Sequence, residues 1–216
     1  MAKAPVAGQV KTRLVPPLTD AQAADFYAAM LDDMIARLRR AARCRVHVAV
    51  APATFDRARL PASWDVVPQV AGDLGTRLTA AFRHVFADGG RQVVALGVDS
   101  PTLPWQLVSR AFTALRRADV VLGPTEDGGC FAIGLRRLPP RFFAGIAWST
   151  DAVCRQLAAH AARHGLTVRQ LPVWYDIDTI GDVERHWASL ARSRVAPRTR
   201  RWLLRQNALP LQRLGV

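Results

Sequence analysis

Apolar positions along this 216-residue chain alternate between helical spacing and short extended runs. Thr19-Asp-Ala-Gln22 reads as a capping box, in which a threonine oxygen and a glutamine three residues later satisfy the first free amides of a helix. That helix is predicted to reach about Ala42, with Ala23, Tyr27, Met30, Met34 and Leu38 near one face. Strands are expected over 45–51 and 64–70, followed by a helix over 73–87 with Leu74, Leu78, Phe82 and Val85 at helical spacing. The run 92–98 is apolar without interruption, the pattern of a strand buried on both faces. Further on, the pattern predicts a helix over 104–117, strands over 120–123 and 130–135, and a helix over 151–164 capped by Ser149 or Thr150. A strand over 167–173 and a helix from Ile180, capped by Thr179, complete the series.

Strands alternating with helices imply an α/β protein, a three-layer sandwich with a mainly parallel sheet between helices. Such sheets bind ligands at the carboxyl ends of their strands. One domain is expected over 1–190, with 191–216 as an arginine-rich tail. The first polar loop begins at residue 3, although loops of this kind ordinarily follow a strand. The first strand is therefore expected to be missing, which would take a central member from the sheet.

Charge is unevenly spread. Residues 185–216 hold eight arginines and no acid, leaving 22 basic and 17 acidic residues in 1–184. A basic tail can bind nucleic acid, but no aromatic interleaving or DNA-binding motif accompanies it, so a solvated helix is the preferred reading. No segment approaches the roughly 20 apolar residues of a membrane span, and no secretory leader is recognisable. Cys44, Cys130 and Cys154 lack metal spacing. A cytoplasmic globular protein is expected.

Four turns carry candidate chemistry. Residues 3–13 contain Lys3, Pro5, Gly8, Lys11, Thr12 and Arg13, suited to phosphate oxygens, although Val10 before Lys11 excludes a P-loop. Asp99 follows the 92–98 run, where a carboxylate can hold Mg²⁺ or Mn²⁺ or cap the next helix. Glu126-Asp127-Gly128-Gly129 joins two strands; it is either a hairpin turn or a ligand loop in which Asp127 is a catalytic candidate and the glycines approach a nucleotide. Asp176-Ile-Asp178-Thr179 places two carboxylates on one side of an extended segment, making Asp178 the partner of Asp99 in a metal pair. Gly75 and Arg77, in the first turn of the second helix, could assist an anion. The five histidines show no metal spacing, and Trp148 reads as a packed side chain before a platform for an acceptor.

The set KAPVAGQVKTRL, GDLGTRL, GVDSPTLP, GPTEDGGCFAIGL, AWST and YDIDT resembles the bacterial family known as domain of unknown function 2064. Its members are also called radical-SAM/selenodomain-associated transferases and are often described as glycosyltransferases. The resemblance implies the GT-A-like fold of nucleotide-diphospho-sugar transferases. The K-P-…-K-T-R-L loop and D-I-D-T also look like those of phospholactate and molybdenum-cofactor guanylyltransferases. It places Lys3, Lys11 and Arg13 at the phosphates and Asp99 and Asp178 at the metal. The chain departs from the family at Cys130, often aromatic there, and at Ile180-Gly181, where Pro-Glu is common. A metal-dependent glycosyltransferase is the expected function, with nucleotidyl transfer as the alternative and a nucleotide or nucleotide-sugar plus an acceptor as partners. A non-catalytic nucleic-acid-binding role through the tail is the rival from another class.

Overall fold

The computed structural model describes residues 1–52 and 55–205. The strands are β1 (Ala2–Lys3), β2 (His47–Ala51), β3 (Asp65–Pro68), β4 (Val93–Leu96), β5 (Val120–Pro124), β6 (Cys130–Leu135) and β7 (Val168–Gln170). The helices are α1 (Asp20–Ala41), α2 (Leu74–Ala87), α3 (Trp105–Ala114), α4 (Val153–Arg163), α5 (Ile180–Arg185), α6 (Trp187–Ala191) and α7 (Pro197–Arg205). Both ends of α1 fall within a residue of expectation, and its capping box forms. The expected cap of α4 does not: Ala152 occupies the cap position, while Thr150 Oγ1 accepts the Ala152 amide at 3.3 Å.

The strand expected to be missing is reduced to two residues, which pair in parallel with β2. This leaves two half-sheets. One is wholly parallel, in the order β1-β2-β3; the other is β4-β6-β5-β7, with β6 antiparallel to both neighbours. The apolar run at β4 is only half-buried, against the expectation of a strand covered on both faces. Its edge toward β2 has no long strand beside it, so its side chains keep access to solvent.

Each half has its own core. Leu14, Phe26, Met30, Leu31 and Ile177 lie together under the parallel half, while Val120, Leu122, Leu135, Phe82 and Phe143 fill one side of the other. Residues 197–205, within the expected tail, form α7 and pack onto α1, with Phe26 and Trp202 ring centroids 4.8 Å apart. Asp33, fully buried, accepts the Arg198 and Thr199 amides and the Thr199 hydroxyl at 3.1, 2.8 and 2.8 Å. That carboxylate caps α7 and favours its positive end. Residues 206–216, including Arg213, lie outside the described residues.

Candidate functional site

Three loops at the carboxyl ends of β1, β4 and β7 converge on Lys11. After Lys3 the chain turns through Gly8, whose φ of 74° suits glycine, and Lys11 itself adopts φ 50° before a short 3₁₀ turn. The Lys11 side chain is 3% exposed. Its ammonium contacts Asp99 Oδ1 closely, lies 3.1 Å from Asp178 Oδ1 and donates to the Ile177 carbonyl at 2.6 Å. Arg13 meets the other oxygen of Asp178 at 3.0 Å. Burial pulls the Lys11 ammonium toward neutrality, but Asp99 and Asp178 outweigh it and hold its pKa above the ordinary lysine value.

These loops are anchored from behind. Arg37, buried on α1, donates to the carbonyls of Pro101 and Leu103 and so fixes the turn after Asp99. The Ile177 amide donates to the Asp99 carbonyl at 2.8 Å, and Thr102 donates to the Tyr175 hydroxyl. Asp178 is followed by a second capping box, in which Thr179 and Asp182 satisfy each other's amides. Ile177, fully buried between two acids, sends Asp176 and Asp178 to the same side.

A crevice of about 300 Å³ opens beside Lys11. Lys3, Lys11, Arg77, Asp99 and Asp178 line it, together with Tyr27 and Gln69. Pro5, Gly8, Thr12, Gly128 and Gly129 are not among its lining residues. Gly75 is buried against other chain: a Cβ there would meet the Phe143 carbonyl at 2.6 Å and the Trp148 indole nitrogen at 2.8 Å. Trp148 is thereby accounted for by packing, as its sequence context suggested. Asp127 accepts from the Thr125 hydroxyl and the Gly129 amide within its own hairpin turn. Gly128 is needed in that turn, since φ is +84° and a Cβ would fall 2.1 Å from the Asp151 carbonyl oxygen.

Sequence reasoning placed Tyr27 only on the apolar face of the first helix and did not name Gln69. Tyr27 accepts the Lys3 amide at 2.9 Å, and the Gln69 side chain donates to the carbonyls of Ala2 and Ala49 at 3.0 and 2.9 Å. Neither has a motif, and only the fold brings them to β1. Cys130 and Cys154, far apart in sequence, lie close together, and that proximity together with burial raises the Cys130 thiol pKa. Lysine 11 alone does not neutralise the acids around it. Asp176 is pushed up to about 7 by burial and by the charges of Asp127, Asp99 and Asp178, with Lys11 opposing. A surplus of carboxylate oxygens beside this crevice is a donor set suited to a hard divalent cation. Asp99 and Asp178 are 43% and 40% exposed, leaving both carboxylates open to such an ion.

A second acidic group lies elsewhere. His47, Asp65 and Asp88 bring possible ligand atoms within 4.8 Å of one another. Arg45 already fills the space between the acids, at 3.2 Å from Asp65 and 2.6 Å from Asp88.

Comparison with known proteins places this arrangement in a family. The profile of DUF2064, described as an uncharacterized protein conserved in bacteria, matches residues 34–150. The chain belongs to the DUF2064 family. A crystal structure from Desulfovibrio desulfuricans G20, provisionally assigned as a nucleotide-diphospho-sugar transferase, is 32% identical to this DUF2064 member, covers 99% of it over 95% of its own length, and superposes with a TM-score of 0.86. The bifunctional IspDF of Campylobacter jejuni superposes over 85% of this chain and 53% of its own at a TM-score of 0.59 and 11% identity, a likeness of fold alone. No curated protein matches the sequence. The fold is that of the nucleotide-diphospho-sugar transferases, and no described helix is long and apolar enough to cross a membrane.

Proposed function

We propose that this chain is a metal-assisted transferase acting on a nucleotide-activated substrate, most simply glycosyl transfer from a nucleotide-diphospho-sugar. The observation that carries this reading is the buried Lys11 ammonium held between Asp99 and Asp178 at the crevice wall. Asp99 and Asp178 would hold Mg²⁺ or Mn²⁺, which when bound supplies charge neutralisation for a diphosphate. Lys11 keeps the two carboxylates at a fixed separation. Lys3 and Arg77 line the crevice, and Arg13, 59% exposed, keeps donors free for phosphate oxygens. Asp127 adds a further negative charge that is felt by Asp176. No nucleophilic side chain is required, since positioning and fixed charge favour departure of the diphosphate.

Nucleotidyl transfer is the second reading, favoured by three cations on one loop, Lys3, Lys11 and Arg13, which suit a triphosphate. A thermal-shift panel of nucleoside triphosphates and nucleotide sugars, with and without Mn²⁺, separates the two. Metal-dependent stabilisation by nucleotide sugars supports glycosyl transfer, and stabilisation by triphosphates alone supports nucleotidyl transfer. Stabilisation that persists in Asp99→Asn, or none by any ligand, would count against the site.

A further inference from the structure

Helix α7 turns two faces to two different surroundings. Thr199, Trp202 and Leu203 face α1, where Asp33 caps the helix and the Trp202 ring lies against Phe26. Thr199 and Leu203 are buried, and this stripe seats the helix. At about 100° per residue the opposite stripe falls on Pro197, Arg201 and Leu204, with Arg200 on one flank and Arg198 and Arg205 on the other. All of these outward residues are exposed.

Most arginines of this region are not tied to the fold. The stretch 185–205 contains no acid. Among the described residues, its only arginines in an ion pair are Arg185, with Asp182, and Arg198, 3.7 Å from Asp33. Arg200 donates to the Ala191 carbonyl at 2.8 Å. Arg192, Arg194, Arg201 and Arg205 are exposed without a carboxylate partner among the described residues. Arg201 repels Arg198 and Arg205, its neighbours three and four positions away on the helix. A field of one sign on one ridge favours an anionic surface.

Nucleic acid and lipid head groups both meet that requirement, and the side chains between the arginines separate them. Single strands are held on exposed aromatic platforms. Here Trp187 and Trp202 are packed against the core, so the ridge offers no such ring. It offers apolar side chains instead: Val195 and Leu204 are 45% and 48% exposed, and Pro197 shares the Leu204 stripe. An apolar strip flanked by cations is the pattern of a helix lying in a lipid interface, with arginine stems along the apolar layer and guanidinium groups at the phosphates.

We propose that the outer face of α7 is a docking surface for an anionic lipid bilayer, with Arg194, Arg201 and Arg205 on head-group phosphates and Leu204 at the acyl boundary. The helix is already formed and seated on α1, so contact carries little ordering cost. Docking of this face is independent of what the crevice binds.

The test is co-sedimentation of the full chain with sucrose-loaded vesicles, one set of phosphatidylcholine and one of equal parts phosphatidylcholine and phosphatidylglycerol. Binding is expected to the anionic vesicles alone, and it should weaken as salt is raised. An arginine near an anionic surface is worth roughly five-fold in partition, so Arg194→Gln/Arg201→Gln/Arg205→Gln should weaken binding about 100-fold. Leu204→Ser should weaken it several-fold at unchanged charge. Arg116→Gln/Arg117→Gln/Arg163→Gln, which removes the same charge from exposed positions elsewhere, should leave it nearly unaltered. Failure of the parent chain to bind anionic vesicles overturns the proposal, a readout that needs no variant to fold. Equal loss in the two triple variants overturns it in favour of diffuse attraction by net charge. Binding indifferent to Leu204→Ser also overturns it, and tighter capture of single-stranded RNA by the same face then names nucleic acid as the partner.

Discussion

Two charge clusters sit at opposite ends of the parallel strands, and both place a cation between carboxylates. At the carboxyl ends, Lys11 is 3% exposed between Asp99 and Asp178; at the amino end of β2, Arg45 is 63% exposed between Asp65 and Asp88. The first cation has exchanged water for protein contacts, and its charge survives only because the acids hold it. The second keeps most of its hydration and gains little from its partners. The acids of the first cluster come from loops that the fold gathers and ties from behind, whereas those of the second are surface residues beside His47. Proximity of charges is therefore not what distinguishes a site; burial of the counter-charge beside an open crevice is.

The largest effect should come from breaking the buried pair. Lys11→Met leaves Asp99 and Asp176 without their cation and Asp178 with Arg13 alone, and is expected to cost about 3 kcal/mol in urea unfolding, the low end for a broken buried ion pair because the acids are partly exposed. Ligand linkage sharpens the comparison next. With Mn²⁺ and a nucleotide-activated substrate at about 100 times Kd, stabilisation of about 2.7 kcal/mol is expected in the parent protein and in Asp65→Asn and Asp88→Asn. It should vanish in Asp99→Asn and Asp178→Asn; retention there would dissociate the ligand from the buried cluster.

A third effect belongs to the terminus beside that cluster. The Met1 amine titrates at about 6 in the folded chain, against 8.0 ordinarily. Between pH 8 and pH 6 the unfolded chain takes up a proton at this amine that the folded chain refuses, so the terminus's own contribution to stability falls as pH is lowered through this window and levels off below it, while Asp176, at about 7 in the folded chain, takes up a proton on folding and opposes the change. The expected loss is roughly 2 kcal/mol. Nα-acetylation should flatten that part of a pH series of denaturation midpoints. The smallest effect is the counterpart of the first: Arg45→Met should change stability by less than about 1 kcal/mol and leave ligand-induced shifts unaltered. A cost equal to that of Lys11→Met would erase the distinction between the clusters.

Much of the fold was legible because its signals are local. Thr19 and Gln22 announced α1, Thr179 announced α5, and the β/α alternation announced the class. The Ile177 alternation also put Asp176 and Asp178 on one side before any tertiary contact was considered. Burial of β4 was misjudged for a non-local reason: its sequence suits a central strand, but its neighbour toward β2 is two residues long. The docking of the tail helix was hidden for another. Arginine-rich composition suggested a solvated helix, and a helix forms over 197–205 with exposed arginines, but its seat on α1 depends on Asp33, about 165 positions away, which caps it.

The sequence by itself determined the residue types, the order of elements and the turns that carry glycines and acids, because capping, periodicity and backbone restriction act within a few residues. The tertiary structure decided which charges meet, which cation loses its water, and where the sheet stands open, because those depend on long-range burial and strand register.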